Sequence, residues 1–332
     1  MIASPLTWTR TLDARDAVDY DRFVESAADG HYAQARWWAP VACAGRPLRS
    51  SFVIARERDG RVVAAAHVLR AQAGGVPLPV AVIERGPVVD DPARLPSLLA
   101  QLAVAARRRG IFRLSISPYW EGERATALER ALAGLGWRNR QTADGAHAVT
   151  LRLSTGDPSE GALFAGGAFA SLRRKINAAE KAGARARRGG VADLPALARL
   201  HSALMGRQGL RRKSAAWLAA VAAAGDEDPG RLALFVTEHE GVPVAAALMV
   251  RHGRLVTYAV GATDPGPSKF SKMVPSFVTA IHWCRELGCD FDLGGVPMAG
   301  DDDPKRSSIA QFKRDFSQTR VELLGLHSRW LL

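Results

Sequence analysis

The sequence predicts an α/β protein built from two tandem copies of one unit, each a mixed sheet flanked by helices. Three observations carry that prediction. First, two stretches 181 residues apart read almost alike: Phe52-Val53, Asp59-Gly60 and Val63-Ala64-Ala65-Ala66, against Phe235-Val236, Glu240-Gly241 and Val244-Ala245-Ala246-Ala247. An apolar run, an acid-Gly turn and a second apolar run predict a β-hairpin in each. Second, Leu95, Leu98, Leu99, Leu102 and Ala106 recur at helical spacing before Arg109-Gly110 and the strand-like Ile111 to Ile116. Val274, Phe277, Val278, Ile281 and Cys284 do the same before Leu287-Gly288 and Cys289 to Leu293. Glycine after such a run is a helix stop. Third, the hairpins are offset by 181 residues and the helices by 178, so the landmarks travel together as one duplicated unit.

The elements follow in order. A first domain runs over residues 1–153 and a second over 154–316, joined at the loop Ser154-Thr155-Gly156-Asp157-Pro158-Ser159. Helical patterns follow over 162–183, 191–205 and 215–224. Strands resume near Leu232, and 242–250 pairs with 255–260 around Arg251-His252-Gly253-Arg254. A helix over 272–287 leads into a strand over 289–293, and Asp301-Asp302-Asp303-Pro304 forms an acidic loop. A hairpin, then a helix, then a strand fits the acyltransferase (GNAT) fold, not a βαβαβ nucleotide-binding chain.

Composition narrows the class. At 332 residues and 47% apolar content, each half can bury its own core. No segment reaches the eighteen or so apolar residues of a membrane span, and Met1-Ile2-Ala3-Ser4-Pro5 does not read as a signal peptide. Three cysteines (Cys43, Cys284, Cys289) without metal-ligand spacing read as buried thiols of a cytoplasmic protein.

Charge is concentrated. Basic residues exceed acidic ones by 12, and the stretch from Ser171 to Lys213 alone carries twelve basic residues against Glu180 and Asp193. A basic face of this density favours a polyanion, either nucleic acid or a phosphate-bearing substrate. Phosphate-loop, dinucleotide-binding, zinc-protease and nucleophile-elbow motifs are absent from the sequence. A pyrophosphate cradle of coenzyme A type would sit on backbone N–H groups at the helix start after the hairpin strands. The residues there read Asp264-Pro265-Gly266-Pro267-Ser268-Lys269-Phe270-Ser271-Lys272, and Val88-Val89-Asp90-Asp91-Pro92-Ala93-Arg94 in the first copy. Prolines remove donors from such a cradle, which disfavours the alternative reading of a CoA-dependent N-acyltransferase.

Scattered motifs then point to one family. Gln34-Ala35-Arg36-Trp37-Trp38, Arg85-Gly86-Pro87-Val88 with Asp90, and Ser117-Pro118 come first. Arg174 with Ala179-Glu180-Lys181-Ala182-Gly183, and Arg207-Gln208-Gly209-Leu210 with Lys213 and Trp217, lie further on. Asp292-Leu293-Gly294-Gly295 and Phe312-Lys313 complete the set. In this order they resemble the Fem family (FemA/FemX-like) of aminoacyl-tRNA-dependent peptidyltransferases, which have tandem GNAT-like domains. Ala35, Leu210, Lys213 and Trp217 depart from that family's Ser, Phe, Arg and Tyr.

The resemblance implies amide formation between a tRNA-borne amino acid and an amine of a peptidoglycan precursor or a peptide-like secondary metabolite. It implies that residues 317–332 return to the first domain. It makes Lys313 the catalytic cation for the tetrahedral oxyanion. Arg36, Arg207, Arg211 and Lys213 become candidates for substrate phosphates. Arg173, Arg174, Lys175, Lys181, Arg185, Arg187 and Arg188 are candidates for the tRNA backbone. Asp292 reads as a structural cap before a proton acceptor. Expected partners are aminoacyl-tRNA, as co-substrate, and a small-molecule or peptide amine. No other cofactor and no metal are expected, and the chain should act as a monomer.

Overall fold

The computed structural model describes residues 6–140, 148–156, 163–297 and 304–331. The chain divides into two units, one of Met1–Ala148 with Val321–Leu332 and one of Val149–Arg320. The strand over 149–153, placed in the first domain by the sequence, therefore belongs to the second. Asp157 to Ser159 and Asp301 to Asp303 lie outside the described residues.

The first unit runs β1 (Thr7–Thr9), α1 (Ala14–Ser26), α2 (Ala39–Cys43), β2 (Leu48–Arg56), β3 (Val62–Ala73), β4 (Val76–Ile83), β5 (Val88–Val89), α3 (Leu95–Arg108), β6 (Arg113–Ile116), α4 (Gly122–Gly134) and β7 (Arg138–Asn139). The second runs β8 (Val149–Leu153), α5 (Ala170–Lys181), β9 (Arg185–Gly189), α6 (Leu194–Gln208), α7 (Ala215–Glu227), β10 (Leu232–His239), β11 (Val242–His252), β12 (Leu255–Thr263), α8 (Val274–Glu286), β13 (Asp290–Gly295) and α9 (Pro304–Arg314). The chain ends in β14 (Arg320–Glu322) and β15 (His327–Trp330).

The two sheets share one plan. In the first, β1-β2-β3-β4-β6-β15-β7 lie side by side, and only β4 and β6 run parallel. In the second, the order is β8-β13-β12-β11-β10-β9, and only β12 and β13 run parallel. The strand beyond each parallel pair comes from outside the hairpin–helix–strand segment: β15 for the first unit, β8 for the second.

The duplicated hairpins agree to the residue. In β2–β3, Ala55 pairs with Ala64 and Arg56 with Val62; in β10–β11, Thr237 pairs with Ala245 and Glu238 with Pro243. Each hairpin thus skips one residue, Val63 or Val244, in a bulge at the same place. Pairing also corrects the sequence alignment: Val53 faces Ala66 as Phe235 faces Ala247. The equivalent of Phe235 is Val53, not Phe52, because the second turn is one residue shorter.

The helix landmark of each unit forms as expected. Gly110 (φ 68°) and Gly288 (φ 60°) adopt the left-handed conformation that lets the chain turn back on its helix. Ile111 N–H then bonds the Ala106 carbonyl, and Cys289 N–H that of Cys284. Helix α3 buries Leu95, Leu98, Leu99, Leu102 and Ala106 against Val53, Ala64 and Ala66. Each leucine so buried contributes about 1.5–3 kcal/mol. Helix α8 buries Phe277 and Ile281 against Phe235, Ala247 and Met249. The opposite face of the first hairpin, Phe52, Ile54 and Ala65, packs on Tyr20 and Val24 of α1. Sheets covered on both faces explain the nearly unbroken apolar runs in β3 and β11.

Gln34 shows why its motif is needed. Leu69 pairs with Val82, so His67 and Glu84 would face each other two positions on, but β3 and β4 are no longer paired there. The Gln34 carboxamide fills the gap: Oε1 accepts from His67 N–H at 2.9 Å and Nε2 donates to the Glu84 carbonyl at 2.5 Å. A Cβ on Gly86 would overlap this amide, which fixes the glycine of the Arg-Gly-Pro turn. Gln34→Ala strands two buried backbone groups and opens a cavity, so a loss of about 3–4 kcal/mol is expected. Urea unfolding measures it, and a loss below about 1 kcal/mol would mean water replaces the amide.

Candidate active site

The second unit opens where its parallel strands part. β12 and β13 pair only from Leu255↔Asp290 to Thr257↔Asp292. Beyond that point β12 bulges: Tyr258 pairs with Met249 and Val260 with Leu248, leaving Ala259 without a partner on β11. β13 meanwhile continues along β8 to Gly295. The gap between the diverging strands is lined by Tyr258, Gly294, Gly295 and the side chain of Lys313.

Lys313 lies in the last turn of α9, which aromatic packing fixes in place. The Phe312 and Phe316 rings stand 5.2 and 5.3 Å from that of Phe277 in the core. The Lys313 side chain is therefore turned inward, and the residue is only 6% exposed. Its Nζ donates to the Gly295 carbonyl at 2.6 Å and lies 6.0 Å from the centre of the Tyr258 ring. The Gly295 carbonyl is its one hydrogen-bond partner among the described residues, so these residues engage one of its three N–H donors. Burial lowers the Lys313 pKa to about 8, while Asp292 opposes the fall. Tyr258 is raised by burial to about 12 and stays a phenol at neutral pH.

Asp292 is an organiser of this site. It is buried, accepts from the Gly294 N–H at 2.7 Å and from the Thr150 hydroxyl, and holds the turn that presents Gly295. Gly294 has φ 78°, and a Cβ there would stand 3.4 Å from Lys313 Nζ. The left-handed backbone, rather than lack of space, is what disfavours a side chain there. The sequence singles out Asp292 and the glycines but not Tyr258, whose one signal is an aromatic ring in the strand Leu255 to Val260.

In the first unit the equivalent gap is closed. β4 and β6 stay paired through Ile83↔Ile116, and Ser117 N–H goes on to bond the Ile83 carbonyl at 3.2 Å.

The helix start after β12 is not an anion cradle. Lys272 Nζ donates to the carbonyls of Asp264 (3.0 Å) and Gly266 (2.8 Å) and to the Asp264 carboxylate (2.7 Å). The loop turns oxygen atoms inward around an ammonium, the reverse of what a pyrophosphate requires. Pro275 in the first turn of α8 removes one more donor. In the first unit, Asp91 accepts from Ala93 N–H, and Arg94 is bound by Glu57 and Asp90.

The remaining basic residues sort by their partners. Arg36 belongs to the first unit, where it pairs with Asp21 at 2.6 Å and lines a 670 Å3 pocket with Arg10 and Arg49. Arg207, Arg211 and Lys213 belong to the second. Arg207 donates to the Pro265 carbonyl at 2.6 Å, and Lys213 sits 4.6 Å over the Trp217 ring. Lys213 also lowers the pKa of buried His201, behind desolvation.

Of the seven residues expected to face tRNA, four have structural partners. Arg173 donates to the carbonyls of Phe164, Ala165 and Gly166. Lys175 pairs with Asp315, two residues from Lys313. Arg187 bridges Asp193 and Glu238, and Arg188 stacks over Trp283. Arg174, Lys181 and Arg185 are exposed and have no ion pair among the described residues.

Among the described residues, no cluster of three or more His, Cys, Asp or Glu side chains could hold a metal. Likewise, no helix among them is long and apolar enough to cross a membrane.

A family model described as an acetyltransferase (GNAT) domain matches residues 167–314, within the unit that carries the Lys313 site. No curated protein matches the sequence. Solved structures match over nearly the whole chain. FemX is 19% identical with a TM-score of 0.78, over 95% of this chain and 96% of that one. The C-terminal domain of a putative lysylphosphatidylglycerol synthetase from Agrobacterium fabrum is 17% identical with a TM-score of 0.61, over 96% and 93%. A tandem GNAT protein from the clavulanic acid biosynthesis pathway is 12% identical with a TM-score of 0.56, over 98% and 99%. The fold is therefore the Fem-like tandem GNAT fold.

Proposed function

We propose that the chain is an aminoacyltransferase that takes an amino acid from the ester of a charged tRNA and joins it, as an amide, to an amine. The amine belongs to a peptidoglycan precursor or a peptide-like secondary metabolite. The observation that carries this reading is the sheltered Lys313 ammonium where β12 and β13 part.

An ester is already activated, so the site must align the amine and meet the charge that forms on the carbonyl oxygen. The amine lone pair attacks the carbonyl carbon, the oxygen becomes an oxyanion, and Lys313 donates to it. Collapse expels the ribose hydroxyl, and the proton lost by the amine balances it. Low polarity around Lys313 strengthens that contact relative to water. Arg36, Arg207, Arg211 and Lys213 are assigned to substrate phosphates, for which guanidinium forks are suited. Arg174, Lys181 and Arg185 are assigned to the tRNA backbone, because they are the three of the seven candidates that are exposed and have no ion pair among the described residues.

The reading makes a pH prediction. Lys313 serves only as an ammonium, so turnover should fall as pH rises through about 8. Asp292→Asn removes the charge that favours the ammonium, and its alkaline limb should move to lower pH. A wild-type limb still above pH 10 would take Lys313 out of the step.

Equilibrium binding separates the two donor chemistries. The chain should bind tRNA with a strong salt dependence and acetyl-CoA not measurably. Tight acetyl-CoA binding with none to tRNA would overturn the proposal in favour of a CoA-dependent acyltransferase.

A further inference from the structure

The first unit contains a hydrogen-bonded relay that the lysine site does not use. Phe52 of β2 faces His67 of β3, so Ser50 lies on the same face, one diagonal step from His67. Ser50 Oγ is 2.8 Å from His67 Nε2, and His67 Nδ1 is 2.9 Å from the Ala33 carbonyl oxygen. A carbonyl oxygen can only accept, so Nδ1 carries the ring proton. Nε2 is then the bare nitrogen, and Ser50 donates to it.

The ring is held in that tautomer and orientation. His67 is 1% exposed, its ring stacks on Phe52 at 5.3 Å, and its backbone N–H is bound by Gln34. Burial lowers its pKa to about 4, so the imidazole is neutral at physiological pH. Ser50, by contrast, is half-buried and opens on the 670 Å3 pocket with Arg10, Arg36 and Arg49. No carboxylate is among the described residues that line the pocket, but Asp21 pairs with Arg36 at 2.6 Å, so Arg10 and Arg49 carry its unopposed charge. A hydroxyl donating to a neutral imidazole, whose far nitrogen is anchored by an acceptor, is the arrangement of an acyl-transfer nucleophile. Here a backbone carbonyl stands where a carboxylate often does.

We propose that Ser50 is the nucleophile of a second acyl-transfer site, accepting the acyl group of an anionic carboxylic ester bound in the arginine-lined pocket. Ser50 Oγ forms a bond to the ester carbonyl carbon as its proton passes to His67 Nε2. The carbon–oxygen bond to the alcohol then breaks, and the departing alkoxide takes that proton from His67. The products are acyl-Ser50 and an alcohol, with nothing oxidised or reduced. The Arg10 and Arg49 guanidinium groups supply positive charge for the substrate's anionic group and for the oxyanion.

The test uses the full chain with 4-nitrophenyl hydrogen succinate, an anionic ester, beside neutral 4-nitrophenyl acetate. Nitrophenolate release gives the rate, and peptide mass spectrometry locates the acyl group. The expected result is one succinyl group on Ser50, formed faster than the acetyl adduct. Ser50→Ala should lose it, and His67→Gln should slow it by about 100-fold. The His67 variant alters a buried position, so Ser50→Ala, which removes a single oxygen, decides the matter. An unmodified Ser50 in the wild-type chain, or equal labelling of Ser50→Ala on lysines alone, overturns the proposal. The outcome is independent of Lys313, which belongs to the other unit.

Discussion

Lys313→Met is expected to lower turnover by about 10²–10³-fold, the range for removing one donor to an oxyanion. The same change is expected to stabilise the fold. Burial lowers the Lys313 pKa from 10.5 to about 8, which costs about 3 kcal/mol at neutral pH. Losing the hydrogen bond to Gly295 returns about 1 kcal/mol of that, leaving a net gain of about 2 kcal/mol. Methionine also suits a buried position beside the Tyr258 ring. The sign can be checked against pH. Between pH 8 and 10.5 the unfolded chain binds more protons at this lysine than the folded one, so wild-type stability should rise across that window. The advantage of Lys313→Met should shrink over the same range. Denaturant melts of both proteins at pH 7 and pH 10 measure this, beside steady-state turnover. A less stable variant would mean that Lys313 is a structural cation.

The second large effect concerns nucleic acid. Arg174→Glu, Lys181→Glu and Arg185→Glu together reverse three exposed charges that have no ion pair among the described residues. If they face the tRNA backbone, affinity at low salt should fall by about 100-fold or more, and the slope of log affinity against log salt should drop by roughly 2–3. The matched control reverses Arg173, Arg187 and Arg188, whose partners are structural. That triple change should cost stability before it costs salt dependence. Fluorescence anisotropy with labelled tRNA reads both, and an unchanged slope in the first triple variant would move the tRNA elsewhere.

Much of the fold was legible because its punctuation is chemical. The acid-Gly turns, the periodic helices and the Gly110 and Gly288 stops act locally, and the structure keeps all of them. What the sequence hid is non-local. β9 reads Arg-Ala-Arg-Arg-Gly and shows no apolar alternation, because an edge strand needs only one partner. Helix α9 has few apolar residues to mark its period, so its sequence does not announce a helix. The site divides in the same way. Asp292-Leu293-Gly294-Gly295 and Phe312-Lys313 stood out as short motifs, but their meeting depends on the bulge at Ala259. Charge density overstated the basic face: Lys175 and Arg187 are spent on Asp315, Asp193 and Glu238. Counting charges along a chain does not reveal which ones have already found a partner.

The most direct test is transfer itself. Radiolabel is followed from a pool of charged tRNAs to pooled peptide amines, with labelled acetyl-CoA in a parallel reaction. Amide-linked label that RNase abolishes, and that Lys313→Met reduces, is the predicted result. Transfer from acetyl-CoA alone, insensitive to RNase, would contradict it.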